Sequence, residues 1–312
     1  MKTVLVVTHR RGFESDPVID LLRERDIRVF RFNCDSGKEM SLTSFRVDGE
    51  EVQLECDDRR IFTREIAIGW CQQLPPYLDQ PTNEQECLQN QNLWALQSAA
   101  FDLLPIPWLN HPRDVLRASN KVLQLAVARN IGLVIPATLI SNQPDEIRAF
   151  AQHRPVVAKN LATPWIVSHG KTRAAYTRII DNNWLADDAA LSFCPVIYQE
   201  YHRRKRDFRV VVIGKKSFAA SCEPNERQRE DVRREVRTGE SFVECTFDKN
   251  TLKKLHLLMK TLSLDYSAAD FMEDEEGNLY FLEVNTCGAW WWLDRLYEGK
   301  ICNGITDFLV NQ

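Results

Sequence analysis

Tyr266-Ser-Ala-Ala-Asp270-Phe-Met272 and Leu279-Tyr-Phe-Leu-Glu283-Val-Asn285 are two apolar runs joined by Glu273-Asp-Glu-Glu-Gly-Asn278. The joint has turn composition and the runs have strand composition, so the stretch reads as an antiparallel hairpin. Each run carries a hard oxygen ligand where an alternating strand would normally carry something apolar. Asp270 follows Ala268 and Ala269, and Glu283 and Asn285, two apart, share one strand face. The reading sets three oxygen donors at the ends of two neighbouring strands. Mg²⁺ takes one or two carboxylates together with substrate phosphates and water, so Asp270, Glu283 and Asn285 suit it. A hairpin with three solvated polar residues is the simpler alternative. Against it, Glu283 interrupts an otherwise apolar run, and burying a lone carboxylate is costly.

Around this hairpin the chain has ordinary globular composition. Its 312 residues are 44 % hydrophobic and 27 % charged, enough for one large domain or two or three small ones. A formal charge of −4 excludes a general polyanion binder. Met1–Thr8 reads as a strand and is too short for a signal peptide, and no apolar run approaches a membrane span, so no membrane role is expected. Nine cysteines form no Cys-x-x-Cys pair, which leaves no thiol-metal or redox motif. An odd count without a secretion signal points to reduced thiols and a cytoplasmic protein. The basic run Arg203-Arg-Lys-Arg206 lacks the interleaved aromatics that single-strand binding needs, so it reads as a solvated loop and no nucleic-acid partner is expected.

Expected elements run as follows. Strands cover 4–8, 27–32 and 66–70, helices 16–25 and 82–101, a hairpin 45–54 turning on Asp48-Gly49, and an extended Pro-rich piece 104–109. The β-α-β start suggests a small parallel sheet. Then come helix 113–130, strand 137–140, helix 144–152, strands 155–159, 196–201, 208–213 and 217–221, helix 249–262 and the acidic hairpin.

The pattern Ala268-Ala-Asp-Phe-Met272 followed by Phe281-Leu-Glu-Val-Asn285 resembles the metal-binding end of the ATP-grasp fold, and further motifs lie upstream in the right order. The resemblance implies an α/β (α+β) architecture. Residues 1–110 would be an N-terminal pre-ATP-grasp α/β domain, 111–195 the central lobe and 196–312 the C-terminal lobe with the metal site, the two lobes clamping ATP. Asp270, Glu283 and Asn285 would hold two Mg²⁺ ions against the phosphates. Lys121, after Asn120, would reach the phosphates too. Lys159, 38 residues further on, would contact the α-phosphate and the adenine side. Both are compact cations suited to phosphate. Residues 160–171 would be the covering flap, with one glycine where relatives have several, so that His169, Gly170 and Lys171 stand in. Pro195–Tyr201 resembles the inter-lobe hinge, with Gln199 and Glu200 at the adenine and ribose. Asp207-Phe-Arg209 resembles the next family strand, Asp207 on the nucleotide and Arg209 forking a phosphoryl or acyl-phosphate oxygen. Arg233 sits where relatives carry an Arg that reaches the active site.

Over its whole length the chain most resembles the peptide-maturing ATP-grasp ligases of microviridin-type (graspetide) pathways. The similarity lies in Val4-Leu-Val-Val-Thr8, Asn120-Lys121, Gln124–Arg129, Gly132–Thr138, Ser141-Asn142, Phe193-Cys-Pro195 and Glu283-Val-Asn285. It implies a macrocyclase that phosphorylates Asp/Glu side chains of a ribosomal precursor peptide and joins them to Ser/Thr hydroxyls as esters or to Lys as amides. Its partner would be that peptide, with a leader and a core rich in Thr/Ser and Glu/Asp; a homodimer is compatible with it. The stretch Asp181–Asp188, with Trp184 and Leu185, is the candidate leader contact. Three departures concern the substrate side: Gly69-Trp-Cys-Gln-Gln73 where W-x-R-R is common, Asn285-Thr286 where Asn-Pro is common, and the aromatic Trp290-Trp-Trp-Leu293. A ligase of small carboxylates and amines, and an ATP-binding regulatory module without turnover, are the alternatives. No Ser-His-Asp or Cys-His set competes, and the general base stays open among His169, Asp207 and Glu283.

Overall fold

The computed structural model describes residues 3–35, 42–45, 52–56, 59–74, 83–162, 165–168, 171–174, 177–224 and 241–311. The chain opens with β1 (Thr3–Thr8), α1 (Asp16–Glu24) and β2 (Arg28–Asn33). A meander follows, of β3 (Leu42–Phe45), β4 (Val52–Cys56) and β5 (Arg59–Phe62). Then come β6 (Ile66–Cys71), α2 (Glu84–Asp102) and β7 (Trp108–Leu109). Strands β2-β1-β6-β7 form a parallel sheet. Every residue of β1 is buried, as expected for a parallel strand covered on both faces. Pro17 in the first turn opens α1, which turns Val18, Ile19 and Leu22 inward. The expected hairpin over 45–54 is present as β3–β4, pairing Phe45 with Val52. Its third strand, β5, was not anticipated.

The single helix expected over 113–130 is two, α3 (Pro112–Ala118) and α4 (Lys121–Asn130). The Asn120 side chain accepts from the Leu123 N–H and starts a new helix there. Lys121 is therefore the first residue of α4. Next are β8 (Thr138–Ser141), α5 (Pro144–Ala151), β9 (Val156–Lys159), the hairpin β10 (Trp165–Ser168) and β11 (Lys171–Ala174), β12 (Arg178–Ile179), the short α6 (Asn182–Leu185) and α7 (Asp188–Ser192), and β13 (Val196–Glu200). Strands β12-β9-β13-β8 make an antiparallel sheet.

The remainder is β14 (Arg204–Ile213), β15 (Lys216–Cys222), β16 (Val243–Glu244), α8 (Lys249–Thr261), β17 (Tyr266–Asp274), β18 (Leu279–Asn285), α9 (Trp291–Asp294) and α10 (Lys300–Val310). The antiparallel order is β16-β15-β14-β17-β18. The basic run is not a loop: Arg204–Arg206 open the ten-residue β14. Arg203 pairs with Glu275 at 3.0 Å, Lys205 with Glu273 at 3.3 Å and Arg204 with Asp207 at 2.7 Å. Neutralised by acidic neighbours, these cations enter a strand at little electrostatic cost.

Both faces of the five-stranded sheet are covered. On one, Val211 and Ala268 join Val4, Val6 and Trp70 of the first sheet and Ile301 and Ile305 of α10. On the other, Val210, Ala269 and Phe271 pack with Leu125 and Ala128 of α4 and Leu255 and Leu258 of α8. Asn110 ties the first sheet to the hairpin. It is 2 % exposed with φ +56°. Its Nδ2 donates to the Tyr266 and Thr286 carbonyls at 2.8 and 3.0 Å, and its Oδ1 accepts from the Asp265 and Tyr266 N–H groups at 2.9 Å each. Among the described residues no helix is long and apolar enough to cross a membrane. All nine cysteines are free.

Candidate active site

The pairing register lays charge in a row across three strands. Arg209 on β14 faces Asp270 on β17, and Asp270 faces Glu283 on β18. A shift of register between Asp270 and Phe271 leaves Leu282 as the extra residue of a bulge. Bulges of this kind re-aim side chains beside sites. The donors are not at the strand ends, as the sequence suggested: Asp270 lies in the middle of β17, and of the three only Asn285 closes a strand.

Two carboxylates directly opposite repel. Each has its own cation. Arg209 Nε lies 2.9 Å from Asp270 Oδ1, and Lys121 Nζ lies 3.0 Å from Glu283 Oε2. Asn285 Nδ2 donates to Asp270 Oδ2 at 2.9 Å. These side chains are 20–30 % exposed, so their charges are only partly screened by water. Lys121 reaches the row because α4 begins there. Five residues 164 apart at the extremes, Lys121, Arg209, Asp270, Glu283 and Asn285, thus form one cluster.

Gln124, one turn along α4, holds β18 from behind, a role that no local signal announced. It is 2 % exposed. Its Nε2 donates to the Val284 carbonyl at 2.8 Å and to Ala118 at 2.6 Å, while its Oε1 accepts the Val284 N–H at 2.9 Å. Val284 lies between Glu283 and Asn285 on an edge strand, whose backbone groups need such partners. Gln124→Leu should lower unfolding stability by about 2 kcal/mol, because both groups are left buried and unmet. A denaturant titration with an unchanged midpoint would refute this brace.

On the β12-β9-β13-β8 sheet, Lys159 ends β9 and donates to Gln199 Oε1 at 2.7 Å. Gln199 Nε2 donates to Thr138 Oγ1 at 3.0 Å. Gln199 is buried and spends its carboxamide orienting Lys159, with Thr138 as the unanticipated third member. Glu200, half-buried, lies 3.8 Å from His202 Nε2. His202 Nδ1 is 3.9 Å from Asp274, and its ring stacks on Tyr280 at 4.3 Å. This histidine, unremarkable in the sequence, connects the end of β13 to the β17–β18 hairpin. Asp207 is 4 % exposed and paired with Arg204. His169, Gly170 and Arg233 lie outside the described residues.

Glu14, also unannounced, lies in the turn after β1, with the backbone of Trp291 and Trp290 and the Arg209 guanidinium within electrostatic reach. Burial outweighs these effects and raises its pKa above the ordinary range. The carboxylates of the candidate leader stretch are engaged locally. Asp181 caps Trp184 N–H and Asp187 caps Ala190 N–H, at 2.9 and 3.0 Å, and Asp188 pairs with Arg148.

Among the described residues no group of three or more His, Cys, Asp or Glu side chains gathers to hold a metal. The Asp270, Glu283 and Asn285 set is different in kind: two carboxylates and a carboxamide, oxygen donors only. Such a set fits Mg²⁺, which draws its remaining ligands from substrate phosphate and water, and does not fit a soft-metal centre.

Likeness to solved structures extends over the full chain. An ATP-grasp ligase of Chryseobacterium gregarium associated with RiPPs, solved with ADP and a leader and core peptide, superposes with TM-score 0.88 at 24 % identity, covering 100 % of this chain and 97 % of that one. The macrocyclase MdnC of Microcystis aeruginosa, bound with precursor peptide MdnA, gives 0.86 at 26 %, covering 99 % and 100 %. The macrocyclase MdnB of the same organism gives 0.82 at 26 %, covering all of both chains. No curated protein matches the sequence. The family model of the RimK-like ATP-grasp domain matches residues 118–295, from the end of α3 to just beyond α9, and so takes in Lys121, Arg209 and the whole β17–β18 hairpin. With more than half its length matched and the charged row inside the match, the chain belongs to the RimK-like ATP-grasp family.

Proposed function

We propose that this protein is an ATP-dependent carboxylate ligase that macrocyclises a ribosomal precursor peptide. The observation that carries the reading is the row Arg209–Asp270–Glu283, completed by Asn285 and Lys121, in a chain that matches peptide-bound macrocyclases end to end. Residues 111–195 and 196–312 are the proposed ATP-clamping lobes, behind a domain of residues 1–110. Asp270, Glu283 and Asn285 would hold two Mg²⁺ ions, whose charge would neutralise that of the phosphates. Lys121 and Lys159 attract the phosphates, and Gln199 fixes the direction of Lys159. Glu200 faces adenine or ribose, Asp207 steadies Arg204 beside the nucleotide, and His169 and Arg233 complete the phosphate and acyl-phosphate contacts.

In the reaction, a side-chain carboxylate of the peptide attacks the γ-phosphorus of ATP and ADP departs. A Ser/Thr hydroxyl, or a Lys amine, then attacks the acyl carbon and phosphate leaves. The enzyme supplies no nucleophile; it aligns two groups of one peptide. Arg209 offers its guanidinium to the charge that grows on the transferred phosphoryl oxygens. Arg209→Lys should therefore cut turnover on the order of 10²-fold while leaving the melting temperature close to that of the wild type, because an ammonium lacks the planar fork. Lost cooperativity of unfolding with undiminished specific activity would make Arg209 structural instead.

The test is the mass of the product. With ATP, Mg²⁺ and a precursor peptide, each bond formed should remove one water, about 18 Da, since the acyl phosphate is consumed by the substrate's own nucleophile. Esters are the expected bonds, and mild base should reopen them while amide rings survive. A leader bound away from the ATP cleft would keep the core at high effective concentration through successive rings. Ligation of a free amino acid, with no peptide dehydrated, would replace this reading by a small-molecule ligase.

A further inference from the structure

The aromatic segment Trp290-Trp-Trp-Leu293 has no part in the ligase reading so far, and its three rings are in three different situations. Trp290 is core, buried with Val4, Trp70 and Ile301. Trp292 leans on Phe242 with ring centroids 4.9 Å apart. Trp291 is 38 % exposed and meets Phe13 edge to face at 6.1 Å, and Phe13 is 61 % exposed. The Arg295 guanidinium lies 4.4 Å over the Trp291 ring and forms no ion pair among the described residues. Two exposed rings from opposite ends of the chain and a cation available to a ligand therefore share one surface. Exposed aromatic pairs rimmed by charge mark binding surfaces more often than solitary apolar residues do.

Glu14 fixes where this surface lies. It follows Phe13 in the turn after β1 and stands within electrostatic reach of Arg209 and of the Trp290 and Trp291 backbone. The Trp segment also follows directly on the hairpin, where the Gly288 N–H donates to the Asn285 carbonyl at 3.2 Å, so the rings neighbour the charged row.

We propose that Phe13, Trp291 and Arg295 form the surface on which the core segment of an acidic peptide substrate lies while its carboxylate and hydroxyl are presented beside Arg209. The inference rests on the peptide-ligase reading and adds to it the place where the core is held. Charge decides the occupant. Arg295, which has no ion pair among the described residues, favours an anionic segment, and the rings accept Thr methyls and the methylenes of Glu. A basic peptide would meet that cation there.

The experiment uses the full chain, ATP, Mg²⁺ and a panel of synthetic peptides bearing Thr/Ser and Glu/Asp, with dehydration followed by mass spectrometry. Phe13→Ala with Trp291→Ala should raise the peptide KM about tenfold, two aromatic contacts being lost. Trp291→Phe should retain most of the affinity, and Arg295→Glu should raise KM further and make it fall with added salt. The thermal shift produced by MgATP should be the same in all variants. Should Trp291→Ala misfold, Phe13→Ala and Arg295→Glu decide, since both side chains are exposed. An active enzyme whose peptide KM is unmoved by these changes overturns this surface and leaves the ligase reading intact. A folded wild type that binds MgATP and dehydrates no peptide overturns the ligase reading, and this surface with it.

Discussion

Asp270→Asn and Glu283→Gln should each cut ATP-dependent turnover on the order of 10³-fold or more, with the protein still folded. Both changes keep shape and remove one negative charge from the row. Asp270 would leave Arg209 without its partner at 2.9 Å, and Glu283 would leave Lys121 without its partner at 3.0 Å. Each would also strip one of two anionic oxygens from a site whose third donor is neutral. Stability should move little. Partly exposed ion pairs contribute on the order of 1 kcal/mol or less, and removing one of two directly opposed carboxylates relieves repulsion that offsets the lost pair. The measurement is ADP release with peptide across a Mg²⁺ titration, beside thermal unfolding. Turnover at the wild-type rate in either variant would remove the metal assignment. Inactivity with lost cooperative unfolding would instead make the carboxylates structural.

The hairpin, most strands and the α/β class were legible because each depends on local composition. What escaped the sequence depends on distance. The apolar periodicity of residues 113–130 runs straight across Ser119-Asn120, so the cap that makes Lys121 a first-turn residue was hidden by a pattern that suits one helix as well as two. The basic run 203–206 looked like loop because its neutralising acids, Glu273 and Glu275, lie in another strand. The C-terminal α10 carries a readable signal, Ile301, Cys302, Ile305 and Leu309 at helical spacing. Of the site, resemblance supplied the residues and the register supplied their order: Arg209, Asp270 and Glu283 share a row only because β14, β17 and β18 pair as they do. Gln124, Thr138 and Asn110 were invisible as site residues because each acts through hydrogen bonds to residues remote in sequence.

Asn110→Ala should cost about 3–5 kcal/mol of unfolding stability, a large value for a residue that touches no ligand. Two effects add. The first is lost hydrogen bonding: the Tyr266 and Thr286 carbonyls and the Asp265 and Tyr266 N–H groups all bond this one carboxamide, in a buried place that water reaches poorly. The second is backbone strain, since alanine adopts φ +56° at a penalty of about 1 kcal/mol that asparagine largely escapes. Asn110→Gly separates them. Glycine accepts that φ freely, so its loss reports the hydrogen bonds, and the further loss in alanine reports the strain. Denaturant midpoints at constant m-value would give both figures. The effect should also reach the site, because Tyr266 begins the strand that carries Asp270 and Thr286 follows Asn285. Freed at both ends, the hairpin holds Asp270, Glu283 and Asn285 together by strand pairing and Gln124 alone. Turnover in Asn110→Gly should therefore fall by more than the unfolded fraction accounts for. A glycine variant as stable and as active as the wild type would mean that the hairpin is held by its strand pairing and Gln124 alone.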